Sequence, residues 1–81
     1  VMLTAERDIP LLGFLWVWKV APSAVLAARF FPKASSDRAY NRLNKLERAG
    51  FLGSAIDESG QRHVWMLTKR GFAAVRYHFP T

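Results

Sequence analysis

The chain has no cysteine among its 81 residues. That excludes a disulfide framework, a thiolate metal site and a cysteine nucleophile. Histidine is scarce too. His63 and His78 are the only two, and no clustered acids stand near them at ligand spacing. The five glycines form no phosphate-cradling loop. Asp57 and Glu58 are adjacent in a turn-forming stretch, which points their side chains apart rather than across a substrate. Ser35 and Ser36 precede no base or oxyanion arrangement. The expectation is therefore no enzymatic activity, no metal and no cofactor. The longest apolar run, Ile9 to Trp18, has ten residues, about half of what a membrane-spanning helix needs. Its lead-in is not basic and no clean cleavage site follows, so neither a membrane span nor a targeting segment is expected.

Acidic residues are also few. Six Asp and Glu face twelve Lys and Arg, for a net charge of +6. A small basic domain is a candidate for nucleic acid, an anionic surface or an acidic protein. The excess is uneven. Arg29 and Lys33 are unopposed, residues 35–50 carry four positive and two negative charges, and Lys69, Arg70 and Arg76 close the chain.

What is present is enough for a fold. Hydrophobic residues make up 51%, which suits one domain with a small core over residues 1–81. The opening Val1-Met2 reads as a piece cut from a longer protein. Absence of cysteine fits a reducing compartment, and a cytoplasmic location is expected.

The most informative stretch is Ser35 to Gly50, read as one helix. Ser35 or Ser36 caps it, Asp37 sits in the dipole-favoured first turn, and Gly50 is the left-handed stop. Ala39, Leu43, Leu46 and Gly50 recur at helical spacing and form a narrow apolar stripe. Opposite lie Asp37, Arg38, Asn41, Asn44, Lys45 and Arg48, with Arg42 on the flank. These cationic and planar groups suit phosphates and base edges.

Before this helix, Asp8 rather than Thr4 is expected to cap a first helix over 9–19, with Pro10 in its first turn. Leu11, Phe14, Leu15 and Trp18 form its core stripe. Leu12, Trp16 and Val20 recur four apart on the other side, which predicts a second apolar surface. A short second helix over 23–31 starts at Ser23 or Pro22, carries Val25, Leu26 and Phe30, and stops at Pro32. After Gly50, residues 51–56 and 61–68 read as two strands around the turn Asp57-Glu58-Ser59-Gly60, with Trp65 and Leu67 inward. Thr68 caps a last helix over 69–79, where Gly71 is a weak spot.

Helix, helix, helix, hairpin, helix is an α+β order. The residues Arg42-Leu43-Asn44-Lys45-Leu46-Glu47-Arg48-Ala49-Gly50-Phe51-Leu52 and Trp65-Met66-Leu67-Thr68-Lys69-Arg70-Gly71 resemble a winged helix-turn-helix domain of the bacterial MarR and PadR types. The opening Leu3-Thr4-Ala5-Glu6-Arg7-Asp8-Ile9 and Phe30-Phe31-Pro32 look more like the replication-relaxation group. The resemblance implies a three-helix core, a two-stranded wing and a C-terminal helix. It also implies double-stranded DNA as partner, in transcriptional or plasmid and replication regulation, with the third helix in the major groove. Carried over by position, Ser36, Arg38, Asn41, Arg42 and Lys45 would face DNA. Arg38 and Arg42 would read guanine, and Asn41 adenine. Ser36 and Lys45 would hold phosphate. Lys33 and Arg62 are further candidates for contact. Two features depart from the pattern: the wing tip is acidic, and Pro10 falls where the first helix usually continues. The competing expectation is a winged helix used for protein interaction or assembly, since fold does not fix function. Pairing through Leu12, Trp16, Val20 and Tyr77, with a second copy or a further domain, is expected in either case.

Overall fold

The computed structural model describes residues 2–56 and 62–76. Four helices and three strands follow in the order α1 (Asp8–Trp18), β1 (Val20–Pro22), α2 (Ser23–Phe30), α3 (Ser36–Arg48), β2 (Leu52–Ile56), β3 (Arg62–Leu67) and α4 (Lys69–Val75). The chain is an α+β winged helix-turn-helix, with the helices packed against one small antiparallel sheet.

The sheet departs from expectation. Val20 to Pro22, between the helices expected over 9–19 and 23–31, forms a third strand. β1 pairs with β3, Val20 opposite Met66 and Pro22 opposite Val64, so the order is β1-β3-β2. A proline lacks a backbone donor and is tolerated on such an edge. Lys19 makes the corner with a positive φ of 73°, which a non-glycine residue rarely adopts. The β2–β3 pairing runs from Leu52 opposite Leu67 to Ile56 opposite Arg62, with a register shift at Ala55/Ile56. The wing-tip residues 57–61 lie outside the described residues.

α1 also differs, in its rotation. Leu11, Leu12 and Leu15 are fully buried, whereas Trp18 is 64% exposed. Leu12 was assigned to an exposed stripe and Trp18 to the core; the two are exchanged. The reason is that α1 is apolar on every side, with Asp8 its only charged residue, so periodicity could not orient it. Asp8 supplies the orientation. It shares a face with Leu11, Leu12 and Leu15 at i+3, i+4 and i+7, and it is 0% exposed. The expectation that Asp8 caps α1 is corrected: Asp8 is the first residue of the helix, and Arg7 stands at the cap position with no side-chain cap bond. The Asp8 carboxylate accepts from the Thr4 N–H at 3.0 Å, while the Thr4 hydroxyl accepts from the Asp8 N–H at 3.2 Å.

α3 forms where its signals lie. The Ser35 hydroxyl accepts from the Arg38 N–H at 3.2 Å. Ala39, Leu43 and Leu46 are buried. Gly50 ends the helix with φ 91°, and the Phe51 N–H returns to the Leu46 carbonyl at 3.0 Å. Removing the cap in Ser35→Ala is expected to cost about 1 kcal/mol, read as a shift in urea midpoint. On α2 only Leu26 is buried; Val25 faces solvent.

Thr68 joins the two halves of the fold. Its hydroxyl donates to the Gly50 carbonyl at 2.6 Å and accepts from the Gly71 N–H at 3.0 Å. The end of α3 is thereby tied to the start of α4. Trp65, on the central strand, is fully buried. Its indole N–H donates to the Ser23 hydroxyl at 2.7 Å, and its ring meets Tyr40 of α3 edge-on.

Candidate nucleic-acid interface

The narrow apolar stripe of α3 leaves most of the helix surface uncovered. Ser36, Asp37, Arg38, Asn41, Lys45 and Arg48 are all exposed, on the side away from Leu43 and Leu46. Lys33 is exposed in the turn that leads into α3. Among the described residues none of Lys33, Arg38 and Lys45 forms an ion pair. The face therefore holds free cationic donors beside an amide and a hydroxyl, along a helix of 13 residues. A helix of that length is about 20 Å long, enough to lie along a major groove.

Arg42 does not belong to this free set. Its Nε donates to Asp8 Oδ1 at 3.2 Å, its Nη2 meets Asp8 Oδ2 in an ion pair, and Nη2 also donates to the Met2 carbonyl at 3.0 Å. The side chain is 24% exposed. The expectation that Arg42 projects from α3 to read a base is corrected: it tethers α3 to the start of α1 and to the segment before it. The hydrogen bond to Asp8 raises its pKa above the usual guanidinium value, burial opposes, and the charge of Asp8 adds to the rise. One sequence signal could have revealed the pair. A lone carboxylate in an otherwise apolar helix needs a cation if that helix is buried.

The remaining assigned positions are spread over the fold. Arg62 opens β3, and its side chain lies outside the described part. Leu12 is buried in the core, and Val20 is exposed on β1. Trp16 is half-buried and packs on Phe72 of α4 with centroids 5.4 Å apart. Tyr77 lies outside the described residues. Leu12, Trp16 and Val20 therefore do not form one exposed stripe. Among the described residues, no group of three or more His, Asp or Glu could hold a metal ion. No helix among them is long and apolar enough to cross a membrane.

No family model matches the chain, and no curated protein matches it. Among solved structures, its fold is similar to that of a single-site mutant of Lactococcus lactis ZitR, with a TM-score of 0.62 and 22% identity. The likeness covers 96% of this chain and 51% of the other, so the chain spans about half that protein's length. At this identity the likeness is one of fold, and it supports the winged-helix arrangement described above.

Proposed function

We propose that this chain is a double-stranded DNA-binding module, one domain over residues 1–81, that lays α3 in a major groove. The observation that carries the reading is the uncovered face of α3, where Ser36, Arg38, Asn41 and Lys45 stand exposed together. Arg38 is the base reader, because a guanidinium reaches guanine O6 and N7 together. Asn41 suits adenine. Ser36, Lys45 and Lys33 hold phosphate, and Arg62 brings the wing strand to the backbone. The net charge of +6 supports such a partner. The role is regulatory, in transcription or in plasmid and replication control, in the cytoplasm of a bacterium, with pairing to a second copy or a further domain.

The test is a fluorescence-anisotropy titration with random duplex DNA at two salt concentrations. Affinity is expected to fall by roughly 0.9 log units per log of salt for each phosphate neutralised. Lys45→Ala is expected to weaken all duplexes alike and to reduce the salt slope by about 1. Arg38→Ala is expected to cost about 1–3 kcal/mol on a selected site and to relax preference there. Binding that is absent at low salt, or indifferent to salt, would overturn the reading.

The second reading is an assembly domain that does not bind DNA. The exposed apolar side of α1, with Val17 66% exposed beside Trp18, favours it. Absence of duplex binding at low salt, in the wild type as in both α3 variants, would shift the assignment to this second reading.

A further inference from the structure

A helix that is apolar all round belongs in an interior, yet only one side of α1 is covered. Pro10, Gly13, Phe14, Val17 and Trp18 follow one another along the other side, with Trp16 at its edge toward α4. With Arg29 and Phe30 of α2 as the facing wall, they line a groove of about 490 Å³. The aromatic groups in it are already ordered. Phe14 meets Phe30 edge-on with centroids 5.6 Å apart, and Trp18 lies 6.1 Å from Phe14. From Pro10 to Trp18 the groove runs about 12 Å, a little over two helical turns. A groove of this length between two helices fits the i, i+3/i+4 and i+7 side chains of a third.

The lining holds one charged group, Arg29, and no carboxylate. Its guanidinium lies 4.9 Å from the centroid of Phe14 and 6.0 Å from that of Phe30. Arg29 forms no ion pair among the described residues. A wholly apolar occupant would bury this cation without a counter-charge, which is costly. A second copy fits poorly for the same reason. Phe14 is the midpoint of the groove and Arg29 stands over it, so a two-fold axis through the groove would bring Arg29 against its own copy. Two chains of +6 add to that repulsion.

We propose that the α1–α2 groove docks an amphipathic helix of a partner protein, one that carries a carboxylate beside its apolar stripe to meet Arg29. None of the exposed α3 residues lines this groove, so the partner leaves α3 free. The anchors are Phe14, Val17 and Trp18, and Arg29 selects for acid.

The test uses the 81-residue chain and a panel of synthetic helical peptides. Each has leucine at i, i+3, i+4 and i+7, with Glu, Gln or Lys at each flanking position in turn. Calorimetry reads affinity and stoichiometry, and tryptophan emission, compared with that of Trp18→Phe, reads burial of Trp18. The best Glu peptide is expected to bind one to one, at least tenfold tighter than its Lys counterpart, with a blue shift in emission. Arg29→Glu is expected to reverse that preference, and Lys45→Ala to leave it unchanged. Val17→Asp is expected to abolish binding without change in the far-ultraviolet spectrum. Should that variant not fold, Trp18→Ser gives the same reading. The proposal is overturned if no Glu peptide binds, if Glu and Lys peptides bind alike, or if Lys45→Ala matters as much as Arg29→Glu. It is also overturned in favour of a second copy if sedimentation equilibrium shows a dimer that Val17→Asp dissociates.

Discussion

Arg42→Ala is expected to destabilise the domain by about 3 kcal/mol, the lower end of the range for breaking a buried ion pair. Asp8 is 0% exposed. Without Arg42 its carboxylate keeps the Thr4 N–H but loses its counter-charge in an apolar setting. The lower end applies because the Arg42 side chain is 24% exposed, so water reaches part of the site. Urea denaturation followed by circular dichroism measures the loss. Arg42→Lys is expected to restore little, since an ammonium cannot bond both carboxylate oxygens and the Met2 carbonyl as the guanidinium fork does. Replacing both partners by apolar residues of similar volume is expected to recover most of the stability. A base whose pKa is raised on folding stabilises fully below its unfolded pKa and stops doing so as pH rises through the folded one. For Arg42 both values lie at the alkaline extreme, so its side of the pair stays charged at neutral pH. If Arg42→Ala keeps full stability and loses DNA affinity instead, the tether assignment is wrong and Arg42 returns to the base readers.

Gly71→Ala is expected to be as damaging, about 3 kcal/mol or more, although alanine is the better helix former by about 1 kcal/mol. A Cβ there would stand 2.2 Å from the Phe51 carbonyl oxygen and 2.7 Å from Leu67 Cδ1. The first of these is backbone, held by the Thr68 N–H at 3.3 Å, and cannot swing aside. Overpacking of this kind costs about 1–3 kcal/mol and occasionally more. For a domain of this size 3 kcal/mol lowers Tm by roughly 12–24 °C. A thermal melt within a few degrees of wild type would show that α4 shifts freely against the α3–β2 junction. Gly71 was read as a weak spot in a helix, and the structure makes it a point of close approach.

Elements whose signals are local can be read directly from the residues. α3 has a serine cap, a three-residue apolar stripe and a stop glycine within 16 positions, and it lies where those signals put it. Thr68 is legible as a cap, and Trp65 as the inward residue of its strand. The starts of α3 and α4 are legible because each is closed by a cap hydrogen bond to the residue three positions on, Arg38 and Gly71. The polar face of α3 is legible too, since whatever lies opposite a narrow apolar stripe stays exposed.

The rest depends on contacts between residues far apart in the chain. β1 has three residues, one of them a proline, and it is a strand because β3 stands 44 positions away to pair with it, Ala21 opposite Trp65. α1 has no polar face to orient it, so its rotation is decided by Asp8 finding Arg42 across 34 positions. That single pairing buries Leu12, turns the groove of Phe14, Val17 and Trp18 outward, and takes Arg42 from the free face of α3. An all-apolar helix has no preferred side until a partner charge supplies one. The helix signals of α1 were therefore present in the sequence, but its packing side was settled by the fold.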